Sequence, residues 1–309
     1  MSLTKLGDAL NFDEILTSIQ KIKGSRPAAE RDSRKSWANL TPSQLHEKDL
    51  LITSGEYLEC VDLPYCGHCE NGWMYTLCES GYRSASLCNH CERPRRRLKR
   101  LSKAQLPVDA IDSTIDDYQW DSTAQYEAVF PFAHWRPSKK SDPNKQRPPS
   151  VLLYGTPGNG KTTLLYSIAK EAAWNGLKVR FTTHERLFTQ EKGSWDDKTI
   201  ESPFKFWLKD VDLLLLDELG GLGGQDKVNG WYLDQTRKMI GAIHERWKGG
   251  KMAVMIATNL TPKEIFIKTF DRSEALRSRM KLLFTDEKVI QMTGPDRRSQ
   301  QTHKTVWDI

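Results

Sequence analysis

From Val151 onward, short and nearly continuous apolar runs alternate with longer stretches whose apolar residues recur every three to four positions. Runs of the first kind predict strands buried on both faces, and those of the second predict amphipathic helices. The alternation therefore predicts βαβ units around a parallel sheet. Strands are expected at Val151–Tyr154, Val179–Thr183, Leu213–Leu216, Ala253–Ala257 and Val289–Met292, with helices over Thr162–Asn175 and Asn229–Trp247. Upstream the pattern is weaker. Leu6, Leu10, Ile15, Ile19 and Ile22 predict one helix, while Lys23–Ser36 and Arg136–Ser150 are polar, charged or proline-bearing and predict linkers. The chain divides into an N-terminal helical or extended arm (1–56), a cysteine-rich unit (57–105), a linker and entry segment (106–150) and an α/β domain (151–309).

Composition changes this picture little. Of 309 residues, 38% are hydrophobic and 28% charged, as in ordinary globular chains. No stretch approaches the roughly 18–20 uninterrupted apolar residues of a membrane span. The N-terminus also lacks a basic flank followed by an apolar core. A cytoplasmic protein with no membrane partner is expected. The net charge of +6 favours anionic partners, nucleic acid among them.

The most specific chemistry follows the first core strand. Gly155-Thr156-Pro157-Gly158-Asn159-Gly160-Lys161-Thr162 fits G-x-x-x-x-G-K-[ST], with a strand before it and a helix after. Glycines let the backbone curl so that its N–H groups face phosphate oxygens, and the helix N-terminus adds a favourable dipole. Residues Gly155 to Thr163 are thus expected to bind ATP. Lys161 would bridge the β- and γ-phosphates, and the Thr162 hydroxyl would ligate Mg²⁺. A chance glycine-rich turn would lack this strand and helix.

Leu213–Leu216 run into Asp217-Glu218, which places two carboxylates at the C-terminal edge of a buried strand, where ligands of open α/β sheets bind. Asp217 is expected at the Mg²⁺ and Glu218 beside the attacking water, which favours hydrolysis over phosphoryl transfer to a metabolite. Asn259, just after Ala253–Ala257, is a candidate for orienting that water, while Thr261-Pro262 reads as the next helix start. In Glu274–Met280, Arg277 and Arg279 are the candidates for an arginine finger reaching a neighbouring subunit, with Arg279 preferred.

All six cysteines lie between Cys60 and Cys91. Cys66-x₂-Cys69 and Cys88-x₂-Cys91, 18 residues apart, fit a structural Zn²⁺ pattern. Cys60, Cys78, His68 and His90 are read as non-ligands, with Cys78 or His90 the alternatives for exchange into the set. The basic run Arg93–Arg100 that follows is open to two readings, phosphate contacts or a solvated helix start, because no aromatic residues are interleaved with it.

Taken in order, the cysteine pairs, RLKRLSKAQLP ending at Pro107, LLYGTPGNGKTTL, LLLLDELG, IGAIHERW, AVMIATNL and LRSRM resemble the DnaC/DnaI helicase-loader group of AAA+ ATPases, and are also similar to the transposition ATPase IstB. The resemblance covers about residue 60 to the C-terminus. It implies a RecA-like αβα three-layer core with a parallel sheet and no helical lid, preceded by a small zinc-ribbon-like domain. It also implies an ATP-dependent oligomer that engages a hexameric DnaB-like replicative helicase and single-stranded DNA, with Asn259 at the family's sensor position and Arg279 at its finger. The IstB-like alternative oligomerises on duplex DNA and recruits a transposase. Three features depart from the pattern. Asp217-Glu218 stands where the group often has two aspartates. Gly220–Gln225 is glycine-rich and predicts a mobile loop. Only 19 residues follow Ile290, too few for a helical lid, and Arg297 or Arg298 is expected to supply part of a lid's contact with nucleotide.

Overall fold

The computed structural model describes residues 51–54, 57–60, 69–77, 81–89, 91–110, 113–116, 118–137, 147–200, 202–204, 207–221 and 230–297. The expected helix Leu6–Ile22, the Lys23–Ser36 linker, and Cys66 and Arg298 lie outside these residues, as does most of the Arg136–Ser150 linker.

Two antiparallel hairpins come first. One pairs β1 (Leu51–Ser54) with β2 (Tyr57–Cys60), and the other pairs β3 (Trp73–Leu77) with β4 (Arg83–Leu87). The remaining strands are β5 (Ser150–Tyr154), β6 (Val179–Thr183), β7 (Leu213–Asp217), β8 (Ala253–Thr258) and β9 (Val289–Gln291). They form one parallel sheet in the order β6-β7-β8-β5-β9. All five expected strands are present, with ends shifted by a residue or two at most.

Side chains alternate across this sheet, so the central strands feed two cores. Val151, Leu153, Leu213, Leu215, Ala253, Met255 and Ala257 enter one buried cluster. Leu152, Leu214, Leu216, Val254 and Ile256 enter the other. The four leucines of β7 are all fully buried, each worth about 1.5–3 kcal/mol of burial.

Six helices cover the sheet: α1 (Glu92–Lys103), α2 (Thr123–His134), α3 (Lys161–Trp174), α4 (His184–Asp196), α5 (Gly230–Lys248) and α6 (Glu274–Leu283). The first of these settles the basic run as helical. Glu92 in its first turn pairs with Arg96 at 2.8 Å, and Arg100 and Lys103 close its last turn, which suits the helix dipole. Its apolar side, Leu98 and Leu101, sits in the first cluster with Leu153, Ile168 and Phe181.

The entry segment holds more structure than its composition announced. Ser122 caps α2 by accepting from the Gln125 N–H at 3.2 Å. Val129 and Phe132 are buried in the core, while Tyr126, Phe130 and His134 stack along another side of the helix at centroid spacings of 5.1 and 4.6 Å. With large apolar groups on both sides, α2 has no polar stripe from which to read a period. At the start of the short helix Pro262–Glu264, Thr261 and Glu264 form a capping box, as the Thr-Pro pair predicted. Among the described residues, no helix follows β9.

Candidate nucleotide site and thiol cluster

The bend after β5 is a phosphate-sized cradle. Gly155, Gly158 and Gly160 have φ of 149°, 83° and 87°. At Gly158 both conformation and space require glycine, because a Cβ there would overlap the Asp296 carboxylate. Gly160 precedes α3 directly, so the loop ends at a helix N-terminus. Lys161 is buried, and its ammonium donates to the carbonyls of Gly155 (2.8 Å) and Thr156 (2.7 Å) and to Asn159 Oδ1 (2.9 Å). Asn159 in turn donates from Nδ2 to the Met292 carbonyl at 2.7 Å, which ties the loop to the segment after β9.

Across the mouth of the loop, the Thr162 hydroxyl donates to Asp217 Oδ2 at 2.7 Å. The tips of β5 and β7, one strand apart in the sheet, are thus brought into contact. Burial pushes the Asp217 carboxyl above its usual pKa, opposed by the Thr162 hydroxyl, the Glu218 N–H and the Lys161 charge. The hydroxyl and the carboxylate are hard oxygen donors, a set that suits Mg²⁺. Glu218 stands exposed beside them at φ 54°, and burial together with Asp217 and Glu185 raises its pKa.

The turn carrying Glu218 is firmly held. Leu219 N–H donates to Ala257 O at 3.0 Å, and Thr258 Oγ1 donates to Leu219 O at 2.6 Å. Gly220 N–H donates to His184 Nδ1 at 3.1 Å. The mobile loop expected from Gly220 onward therefore does not begin at Gly220, which is pinned by a fully buried histidine, and residues 222–229 lie outside the described set.

A cavity of about 880 Å³ opens at the mouth of the loop, and of the expected nucleotide-binding residues Gly155 and Thr156 do not line it. Pro157 to Thr163, Asp217, Glu218 and Asn259 all face it, as the sequence predicted. Arg277 and Arg279 do not. Arg277 pairs with Glu274 at 2.9 Å and lies 5.2 Å over the Phe266 ring, while Arg279 lies beside Gly241 on α5.

One wall escaped the sequence reading: Pro107, Asp109, Thr114, Tyr118 and Gln119 come from the entry segment. Only the aromatic pair Tyr118-x-Trp120 hinted at it, now an edge-to-face contact at 5.0 Å. Arg297 clamps this wall to the loop. Its backbone N–H donates to Gly158 O at 2.9 Å, and its guanidinium donates to Gln119 O (2.6 Å) and Asp121 (3.0 Å) while lying 4.8 Å over Tyr118.

At the far end of α1, the sulfurs of Cys69, Cys88 and Cys91 lie within 4.8 Å of one another, with Cys69 and Cys91 at 3.4 Å. Cys88 and Cys91 are fully buried. Three converging thiols could hold a thiophilic metal ion, and the fourth expected ligand, Cys66, lies outside the described residues. Cys91 immediately precedes α1, and the residues after that helix reach the pocket wall. Phe181 N–H donates to Ala104 O at 2.9 Å, Arg186 to Gln105 at 3.2 Å and Lys170 to Ala110 O at 2.9 Å.

Residues 88–304, which contain the phosphate-binding bend and the threonine–aspartate contact, match the family of IstB-like ATP binding proteins. The chain belongs to this family. Its sheet and flanking helices form the RecA-like AAA+ core of an ATP-binding protein, as expected. A replicative helicase loader, DnaI of Bacillus subtilis, is 25% identical over 115 residues, 37% of this chain and 34% of the relative. An insertion sequence IS5376 putative ATP-binding protein of Geobacillus stearothermophilus is 34% identical over 76 residues, 25% of this chain and 30% of the relative. A DnaA replication initiator of Helicobacter hepaticus is 25% identical over 146 residues, 47% of this chain and 28% of the relative. The chain thus spans about a third or less of the length of these relatives. Among solved structures, DnaI aligns at 21% identity with a TM-score of 0.46, covering 62% of this chain and 94% of that one. The DnaC helicase loader aligns at 18% identity with a TM-score of 0.42, covering 60% and 99%. No described helix of this IstB-like protein is long and apolar enough to cross a membrane.

Proposed function

We propose that the protein is a cytoplasmic, ATP-hydrolysing oligomer that places a hexameric DnaB-like replicative helicase on single-stranded DNA. The carrying observation is the Thr162–Asp217 contact at the mouth of the phosphate loop, which gathers the groups for ATP chemistry at one point. The loop from Gly155 to Thr163 receives the triphosphate, and Lys161 exchanges its loop carbonyls for phosphate oxygens. Thr162 and Asp217 hold Mg²⁺, which neutralises charge on the phosphates. Glu218 polarises the attacking water and Asn259 orients it. Arg279, outside its own pocket, serves the neighbouring subunit's site, with Arg277 the second candidate.

Cys66, Cys69, Cys88 and Cys91 hold a structural Zn²⁺. The part of the chain ahead of the AAA+ core engages the helicase, and the core contacts DNA. Support for loading over other AAA+ uses comes from the resemblance to a named helicase loader and from a thiol unit joined to the core through α1. Size-exclusion chromatography with Mg-ATP and the cognate helicase tests it: a stable co-eluting complex is expected, and its absence removes the loader reading.

A second reading, an IstB-like ATPase acting on duplex DNA with a transposase, is favoured by the family itself and by the IS5376 relative. Marked preference for duplex over single-stranded DNA would select it. In either case Arg279→Ala should bind ATP normally yet turn over about 10³-fold more slowly. Mixing it with Glu218→Gln protein should restore part of the activity, since shared sites then regain one intact interface.

A further inference from the structure

Nine large apolar side chains are exposed among the described residues, and four of them, Trp73, Tyr75, Leu77 and Tyr82, belong to the thiol-anchored hairpin. Trp73, Tyr75 and Leu77 alternate along β3 and so share one face. They are 41%, 50% and 70% exposed. Across the hairpin, Leu87, Ala85 and Arg83 stand opposite Trp73, Tyr75 and Leu77, and only small Ala85 leaves its partner uncovered by size. Among the described residues neither Trp73 nor Tyr75 stacks on another ring. Two residues of strand rise set their rings about 7 Å apart.

The sequence offered no aromatics within the basic run; the fold anchors aromatic residues at the same sulfur cluster as that run. Cys88 follows β4 directly and Cys91 precedes α1, so one sulfur cluster joins the hairpin to that helix. Arg96, Lys99, Arg100 and Lys103 occupy the exposed side of α1, opposite buried Leu98 and Leu101. Cations dominate this unit: these four and Arg83 stand with only Glu70 and Glu92 as described acids between residues 69 and 103. Rings that offer flat faces, on a hairpin joined through the sulfur cluster to a cationic helix, match the two chemistries of a single strand, base planes and phosphates. A protein-docking face would instead be depleted of charge at its centre.

We propose that the Trp73–Tyr75–Leu77 face, with Arg83 and the α1 ridge, binds single-stranded DNA, the two rings stacking on bases and the ridge contacting phosphates. This adds a DNA contact on the thiol unit to the one proposed for the core, and rests on the loader reading for the identity of the strand. The contact forms without ATP.

The test uses the full, zinc-loaded chain and fluorescein-labelled oligothymidylate, read by anisotropy without nucleotide at two salt concentrations. Trp73→Ala with Tyr75→Ala should weaken binding about tenfold or more while metal content and ATP binding match the parent. Trp73→Phe with Tyr75→Phe should retain most of the affinity, which a folding defect would not allow. Lys99→Glu with Lys103→Glu should weaken binding and flatten its salt dependence. Unchanged affinity in the alanine variant overturns the proposal. So does loss of helicase association with oligonucleotide affinity intact, because the face would then dock protein. If binding appears only when Mg-ATP is added, and Lys161→Ala abolishes it while the hairpin variants do not, the strand lies on the AAA+ core; the inference falls and the loader reading stands.

Discussion

Around the nucleotide pocket, the central strands β5, β7 and β8 send side chains into a buried cluster on each face, and the site's polar groups hold one another. Around the thiols, nearly every side chain of β3 and β4 is at least partly open to water, and burial concentrates in Cys88, Cys91 and Gly72. The first region is ordered by apolar area, so its geometry exists before any ligand arrives. A unit with so little core depends on metal–sulfur bonds, so its folding is coupled to metal binding. What joins the two is α1, whose start lies at the thiols and whose leucines lie in the pocket's core. A protein built this way can keep one rigid chemical site and one small, metal-set recognition surface on the same frame.

Removing the metal should produce the largest contrast. With a chelator and reductant present, amides of Trp73–Leu87 are expected to exchange hydrogen at nearly unfolded rates while those of β5, β7 and β8 stay protected. Retained protection in the hairpin would break the comparison. Lys161→Ala should next lower ATP affinity by about 100-fold or more, since the triphosphate loses a direct charge, with metal content unchanged; isothermal titration and metal analysis read both.

Truncation separates the regions more finely. Leu215→Ala should cost about 2–5 kcal/mol in denaturant unfolding, because a fully buried side chain leaves a cavity, whereas Leu77→Ala should change it by about 0.5 kcal/mol at most. A pH-dependent effect concerns His184, whose burial lowers its pKa from 6.5 to about 3. The unfolded chain takes up this proton as pH falls below 6.5, and the folded chain does not until about 3. Stability should therefore decline as pH falls through that window, and His184→Gln, which keeps an acceptor for the Gly220 N–H, should flatten the decline.

Sequence alone determined the strands of the core and the residues at their tips. Leu213–Leu216 can only be a strand buried on both faces, and a G-x-x-x-x-G-K-T bend between strand and helix has one known backbone use. Asp217, Glu218 and Asn259 were legible because a parallel sheet puts the ends of its strands on a single edge. Tertiary structure decided what comes from far along the chain: Tyr118 and Asp109 as a pocket wall, Arg297 closing on Gly158, and His184 holding the turn after Glu218. Arg297 was a candidate from the sequence, but its partners were not, because each of these contacts owes its place to packing against elements distant in sequence. The aromatic face beside the basic helix belongs with them: only the convergence of three sulfurs brings Trp73 and Tyr75 to the same anchor as Lys99 and Lys103.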